Sequence, residues 1–547
     1  MKRWIPALTA LFVWRLVFGL CHEFFFEDET QIFLLGLVYH ATGHWPFFGP
    51  DVVWTRSEIP GALQALLVGL PLNIIPAPEA PYLLLNLLSF ASIAVFAWYV
   101  STRFPTLPRW LVWGWLLTIP WTIQFSTHLI NTSYILPAAL VFFIGFFETV
   151  PVFSLRRIPS PMAHAMMGAA LLWLVQIHMS WPLLLPYLGL AWISRWRDGA
   201  WALLVNAAAA LAGAALPGLL LVPTLLRYGI DAGSGGVGRN LHVHVVSPWI
   251  VVTTLARFFS FASLEVSRFI GTDGAKRIEL FRQHLWLVPA AAIVWLAGVV
   301  QPLWMTVDWL RPSRIWADPA LRTQWNAMRA LVGASVLLVY ASYWFVMEPP
   351  QAHAFYVLAP IAFLFAAYWF ARLDSGRART TAAWLIGISV FFHSGLAWAR
   401  VGTISLYHNR GPVAAAVSLK QPEMLAHRRP FAVEGGPFVL ADPKRPYDAP
   451  HDILVSGAVY TIGFRGSVHW TLTVRNSNAA VAFRDLLYIT TYVDEHGATV
   501  DERHEYIKDI FEPGANRRVD LNDGVGSAPF ATAHFRIVAA EALLPAP

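Results

Sequence analysis

Eleven stretches of mostly apolar residues, most of them about 20 long, recur along the first 400 positions of this 547-residue chain, and no other feature limits its fold as tightly. They fall at about 4–22, 81–100, 110–127, 134–153, 163–178, 182–194, 200–222, 284–308, 329–347, 354–371 and 381–399. Inside a bilayer each backbone polar group must find its partner within the segment, so runs of this kind are read as spanning helices. The fifth and sixth are short and meet at Met179-Ser180-Trp181-Pro182. Residues 62–76 are apolar but short and proline-ended, which fits a surface-lying or re-entrant segment. The expected fold class is an α-helical polytopic membrane protein with about 11 transmembrane helices.

Charge supports this and divides the chain. Only 13% of residues are charged, about half the share of a soluble domain. That scarcity excludes an ordinary cytosolic enzyme, a disordered chain and a nucleic-acid-binding protein. Residues 1–400 hold 25 Lys and Arg against 17 Asp and Glu, whereas residues 401–547 hold 14 against 16. A transmembrane domain over 1–400 followed by a polar domain over 401–547 accounts for the shift. From about Ile453 the second part alternates with strand period, as in His469–Val474 and Leu486–Val493. Turn signals at Asn476-Ser477-Asn478, Glu495-His496-Gly497 and Glu512-Pro513-Gly514 separate the runs. A small β-sandwich is expected. The lone Cys21 excludes an intramolecular disulfide and a cysteine-based zinc site.

Sidedness follows from the basic residues. Lys2/Arg3, Arg103/Arg109, Arg156/Arg157, Arg195/Arg197, Arg311/Arg314/Arg322/Arg329 and Arg372/Arg377/Arg379 fall on one side. The opposite short loops at about 128–133, 179–181 and 348–352 carry none. The N-terminus is therefore expected in the cytoplasm of a bacterial inner membrane. The loops at about 23–61 and 223–283 and the C-terminal domain are expected outside. The first run, interrupted by Arg15, reads as a signal anchor rather than a cleaved peptide.

The first outer loop concentrates the acids. Glu23-Phe24-Phe25-Phe26-Glu27-Asp28-Glu29 lies just beyond the first span, and Glu58 closes the loop in Arg56-Ser57-Glu58-Ile59-Pro60-Gly61. Acids also favour a helix N-terminus, and an amphipathic stretch from Thr30 to Tyr39 follows, so a solvated helix start is one reading. The other is a pair of acids converging at the membrane surface, one as a base and one binding substrate hydroxyls or a divalent metal.

The order of these features resembles the GT-C superfamily of membrane glycosyltransferases. Its nearest branches are the protein mannosyltransferases, the aminoarabinose transferases of lipid A and the RgtA/B/C/D-like enzymes. The resemblance rests on the outer-loop Asp28-Glu29, on Gly43-His44-Trp45-Pro46 and on Glu58 before Pro60. A late segment adds to it, Pro349-Pro350-Gln351-Ala352-His353-Ala354-Phe355-Tyr356-Val357-Leu358-Ala359-Pro360, similar to the family's basic residue and Tyr-x-Leu-x-Pro. The resemblance implies that Asp28, with Glu29 beside it, activates the acceptor or organises the site, and that Glu58 is the second acid. It implies His353, with Tyr356 in the same motif, near the donor phosphate. Many relatives carry a basic residue after the second acid, where this chain has Ile59, and Arg56 is the substitute charge. The implied partners are a polyprenyl-phosphate sugar donor, a glycolipid or polysaccharide acceptor, and membrane lipids. Donor attack from the face opposite the phosphate implies inversion.

Other features allow two readings. The glycine-rich stretch Asp231–Asn240, followed by Leu241-His242-Val243-His244, is either a linker before an amphipathic helix at about 249–270 or a mobile anion-binding lid. In the second case Arg239, His242 and His244 contact phosphate or sugar. His242 and His244 share a strand face, but two ligands are too few to define a metal site. Arg15 within the first span either snorkels or pairs with an acid. Gln176 and His178 line the same cavity or make a helix–helix contact. Two rival functions remain: a transporter or flippase of lipid-linked glycans, and a non-catalytic envelope-assembly protein.

Overall fold

The computed structural model describes residues 4–22, 27–52, 57–229, 246–266, 274–311, 316, 318–345, 352–402, 405–422, 425, 438–440, 449–462, 467–507, 509–525 and 530–545. The chain divides into two compact units, Met1–Pro422 and Glu423–Pro547.

The first unit is helical. Helices α1 (Ile5–Cys21) and α2 (Glu27–Thr42) lead into a two-stranded hairpin, β1 (Phe48–Val52) and β2 (Ser57–Pro60), and then α3 (Leu63–Ile74). Next come α4 (Ala80–Arg103), α5 (Arg109–Thr118), α6 (Pro120–Thr127), α7 (Ile135–Thr149) and α8 (Ser160–Val175). They are followed by α9 (Leu185–Ile193), α10 (Ala200–Gly218), α11 (Val222–Tyr228), α12 (Trp249–Ser260) and α13 (Gly274–Gln283). The unit closes with α14 (Val288–Leu310), α15 (Pro319–Ser342), α16 (Ala359–Leu373), α17 (Gly376–Arg400) and α18 (Leu406–Ser418).

Among the described residues, seven helical segments are long and apolar enough to cross a membrane: Ala80–Arg103, Asn131–Thr149, Ala200–Gly218, Leu285–Leu310, Pro319–Phe345, Ala352–Leu373 and Gly376–Arg400. The chain is thus a polytopic helical protein with a β-rich C-terminal unit. Helices α1, α3, α8 and α12 are apolar but shorter. Burial sorts the long ones. The α7 segment is central, with Phe142, Phe143, Phe146 and Phe147 fully enclosed, whereas α10 exposes Trp201, Leu204, Leu211 and Leu216. Large apolar side chains displayed along a whole helix are stable against lipid and costly against water.

Small residues set the closest helix contacts. A Cβ added at Gly168 of α8 would run into the Ala210 carbonyl of α10, and one at Gly213 of α10 into the Ala165 carbonyl of α8. This reciprocal pair lets two backbones touch, the device membrane helices use where no hydrophobic force separates protein from lipid. Gly36 of α2 and Gly69 of α3 do the same across that helix pair.

The run expected as one span at 110–127 is two helices. Ile119 is extended (φ −69°, ψ 142°), because Pro120 supplies no N–H and restricts the residue before it. Side chains take over the carbonyls freed at the break. Thr122 Oγ1 donates to Leu116 O at 2.6 Å, Arg15 Nη1 to Leu117 O at 2.7 Å, and Ser389 Oγ to Thr118 O at 2.8 Å. Arg15 also donates to Thr122 O at 2.7 Å and to Ser126 Oγ. The buried cation of the first helix therefore holds a broken helix together and meets carbonyls where the sequence suggested an acid. The amphipathic helix expected to reach about residue 270 ends at Ser260. Helix α18 falls in the first unit, and His40 Nε2 of α2 approaches its Val417 carbonyl at 3.3 Å.

The second unit contains β3 (Phe438–Leu440), β4 (Ile453–Ile462), β5 (Ser467–Asn476), β6 (Ala482–Val493), β7 (Thr499–Ile507), β8 (Asn516–Val525) and β9 (Thr532–Pro545). They form two antiparallel sheets, ordered β3-β9-β6-β7 and β4-β5-β8. One apolar cluster, including Trp470, Leu472, Phe483, Tyr488 and Ile537, draws on both. The expected turn at Asn476 is tied by its side chain, which donates to Val481 O, Phe511 O and Glu512 O at 2.8, 2.9 and 3.0 Å.

Candidate functional site

The site is built where α1 ends. Phe18 is fully buried, and His22 stacks on it with ring centroids 4.5 Å apart. His128, just past α6, and His393 of α17 each place a ring edge 5.8 Å from Phe18, and His128 lies 5.7 Å from His22. Arg400, in the last turn of α17, brings Nη1 to 3.3 Å from His22 Nε2. A guanidinium only donates, so His22 Nε2 accepts and Nδ1 carries the hydrogen. That Nδ1 has no partner among the described residues. His128 Nδ1 donates to Gln124 O at 2.9 Å, which leaves Nε2 as a bare acceptor, also without a partner there. His393 Nδ1 donates to Ser389 O at 2.7 Å. Three imidazoles and a guanidinium thus gather next to the acidic segment that opens at residue 23.

Glu29, in the first turn of α2, reaches the turn that follows His128. It is 3% exposed, and its Oε1 accepts the Leu129 N–H at 2.8 Å, one residue beyond His128. The same carboxylate acts electrostatically on the buried hydroxyls of Tyr82 and Tyr134. Glu29 is a buried anchor of the turn after α6, which excludes a solvated helix start for this acid. Asp28 lies in α2 and Glu58 in β2, paired across the hairpin with Asp51. The side chains of Asp28 and Glu58 lie outside the described residues, as do Arg56, Arg239, His242 and His244.

His353 and Tyr356 sit together in the 3₁₀ turn Ala352–Leu358 that leads into α16. The Tyr356 hydroxyl donates to Trp121 O at 3.1 Å, and its ring packs on Trp121, Phe125 and Phe261. His353 is half-buried, its ring 6.4 Å from Phe125. Helix α6 is therefore the hub: Phe125 meets His353 and Tyr356, Thr122 and Ser126 hold Arg15, and His128 beyond its end joins His22. Sequence reasoning missed His22, His128, His393 and Arg400. They lie far apart in sequence, His22, His128 and Arg400 at helix ends and His393 inside α17, and only the topology unites them.

The hairpin lies over a second polar group. Gly61 N donates to Phe47 O at 2.9 Å, and Thr224 Oγ1 of α11 donates to the same carbonyl at 2.6 Å. Gly61 has φ +107° and lies against Gln176, whose carboxamide would collide with any Cβ there. Gln176 Nε2 donates to Pro217 O at 2.7 Å, the helix–helix contact that was one reading of this residue.

The opposite end of the bundle is a structural network of basic loops. Arg103 donates to Tyr368 Oη at 2.9 Å and to Phe153 O, and Arg195 donates to Glu148 O at 3.1 Å. The buried Glu148 carboxylate accepts N–H groups from Leu155, Arg157 and Ile158. Asp308 holds Arg311 at 3.0 Å, Trp369 Nε1 at 2.9 Å, and Arg372. Arg379, near the start of α17, reaches Thr106, whereas Arg400 at its other end reaches His22. The arginine-rich loops and the histidine group are therefore separated by most of the length of one 25-residue helix, roughly 32 Å from Arg379 to Arg400 at 1.5 Å per residue.

Among the described residues, no cluster of three or more His, Cys, Asp or Glu has the geometry to hold a metal ion. No known protein-family model matches the chain, and no curated protein resembles it in sequence. The class that fold and composition define is a polytopic helical membrane protein with a β-rich C-terminal unit.

Proposed function

We propose that this protein is a membrane glycosyltransferase of GT-C type, moving a sugar from a polyprenyl-phosphate donor to a glycolipid or polysaccharide acceptor. The supporting observation is the group of His22, His128, His393 and Arg400 around the end of α1, with one buried acid, Glu29, bonded to the turn just past His128. A leaving phosphate needs cationic or donor groups, and an acceptor hydroxyl needs a carboxylate base. Both chemistries occur here within one helix end.

In this reading the eleven helical runs all span, the N-terminus is cytoplasmic, and the histidine end faces outward. No nucleotide donor is available there, and a polyprenyl phosphate keeps its tail in lipid while presenting its sugar at the surface. The C-terminal unit is a β-sandwich on that same side of the membrane. Attack opposite the phosphate inverts the anomeric centre. Asp28 acts as base, Glu58 binds acceptor hydroxyls, and Arg56, Arg239, His242, His244, His353 and Tyr356 are the further donor-side residues. The test is mass spectrometry of surface glycolipids and glycans from a deletion strain, complemented with wild type, Asp28→Asn or Glu58→Gln. Loss of one defined sugar, restored only by wild type, is expected. An unchanged glycan profile on deletion overturns the proposal.

A further inference from the structure

Two buried carboxamides beneath the β1–β2 hairpin keep polar atoms that the packing does not use. Gln64, in the first turn of α3, is 0% exposed, and neither its Nε2 nor its Oε1 has a hydrogen-bond partner among the described residues. Leaving a buried donor or acceptor unpaired costs about 1–3 kcal/mol for each group. Native proteins hold few such groups, so an amide unpaired at both atoms calls for a ligand. Gln176 is also 0% exposed, and its Nε2 bonds to Pro217 O and Leu172 O fix the amide plane. The same bonds leave Oε1 without a partner among the described residues.

Gly61 joins the two. It precedes Gln64 by three residues and presses its backbone on the Gln176 carboxamide at a positive φ that other residues rarely adopt. The group continues along α8. Trp173, one turn before Gln176, donates Nε1 to Tyr134 O at 3.0 Å. The Tyr134 hydroxyl and the neighbouring Ser133 Oγ are buried and likewise without partners there. Tyr134 is also the hydroxyl on which Glu29 acts. Neutral polar atoms without partners among the described residues therefore occur in the helix after the hairpin carrying Glu58, at the end of α8 and at Ser133 and Tyr134.

We infer that Gln64 and Gln176, with Tyr134 beside them, form a subsite for the hydroxyl groups of a saccharide. Carboxamides carry no charge, so they cannot neutralise a phosphate or a cation, and a neutral polyhydroxyl group matches them best. Gln64 offers a donor and an acceptor side by side and Gln176 adds an acceptor, the complement of adjacent sugar hydroxyls. The ligand class rests on the glycosyltransferase reading, while the unpaired amides stand apart from it.

The test uses the full chain in lipid nanodiscs. Saturation-transfer NMR reads binding of free glucose, galactose, mannose and arabinose. Native mass spectrometry reads binding of undecaprenyl phosphate without sugar, and a radiolabelled lipid-linked sugar reads transfer. Gln64→Met keeps the shape and removes the amide, and Gln64→Asn keeps the amide but withdraws it by one methylene. At least one monosaccharide binds the wild type, and both variants weaken it by about tenfold or more. Undecaprenyl phosphate binding is unchanged, and the thermal midpoint of Gln64→Met is equal to or above that of wild type. Sugar binding that is absent from wild type, or that survives in both variants, overturns the subsite. A drop in the midpoint of Gln64→Met overturns it too, because the amide is then bonded to buried water. Sugar binding lost on mutation, without transfer from any lipid-linked donor, upholds the subsite and overturns the glycosyltransferase reading.

Discussion

At the scale of single residues, charge is informative in this chain because it is scarce. Glu29 stood out in the sequence for that reason, and in the structure it anchors the turn after α6 through the Leu129 N–H. Glu29→Gln keeps an acceptor oxygen, so thermal stability should change by about 1 kcal/mol or less. Sugar transfer should fall about 100-fold or more if the charge serves as a base. Unaltered transfer would assign Glu29 to structure alone. In the C-terminal unit the corresponding residue is Asp523, buried under Trp470 Nε1 at 3.1 Å, Tyr488 Oη at 3.0 Å and Tyr492 Oη. Burial first, and the adjacent carboxylate second for Tyr488, hold both phenols above the ordinary tyrosine value. A folded-state value raised above the unfolded one stabilises the neutral form. The contribution is therefore complete below about pH 10 and is lost as pH rises beyond it. Absorbance at the tyrosinate band should show these two phenols titrating only as the unit unfolds, and ionisation near pH 10 in the folded protein would refute this. Asp523→Leu strands three donors and should cost roughly 3 kcal/mol or more.

At the scale of elements, apolar length made the helices legible, and proline placed the break between α5 and α6. The strand runs around His469 and Leu486 lie within β5 and β6: β5 buries every second residue from Val468 to Asn476, as period-two alternation reports, whereas Leu486–Thr490 of β6 are buried without interruption. The histidine group was not legible. His22, His128, His393 and Arg400 are far apart in sequence, and no spacing rule links them. Gln64 was equally silent, since a neutral amide in an apolar run reads as a minor interruption, and only its lack of partners singles it out. The α8–α10 contact was hidden too, because Gly and Ala look merely apolar until two backbones meet. Gly168→Val drives a branched side chain into the Ala210 carbonyl and should destabilise the pair by about 1–3 kcal/mol. Gly189→Ala, at a glycine with open space around it, is the control. Fluorescence-detected size exclusion after heating should separate the two, and equal midpoints would refute the close contact.

At the scale of the whole molecule, the separation of arginine loops from the histidine group gives the chain its polarity. Arg103, Arg195, Arg311, Arg372 and Arg379 tie loops together at one end by bonds to carbonyls and carboxylates, so their charge is used structurally as well as for orientation. Seven long apolar helices fix a polytopic protein without fixing how many of the shorter ones cross. The count matters because an odd number of crossings puts the two termini on opposite sides. If α1, the α5–α6 pair, α8 and α9 all cross with the seven, the total is odd, and an N-terminus inside requires the β-rich unit outside. A phosphatase active only outside the cytoplasm, fused after Arg197 and in a second fusion after Pro547, reads this directly. The first fusion should be inactive and the second active. Activity at Arg197 with none at Pro547 would mean either that one short helix before Arg197, α9 foremost with nine residues between Leu185 and Ile193, lies along the membrane, or that the orientation is reversed. A fusion after Thr106 that is also active would establish the reversal, turn the histidine group toward the cytoplasm and remove the basis for a lipid-linked donor. Inactivity at both would mean that one of the long apolar helices after Arg197 does not cross.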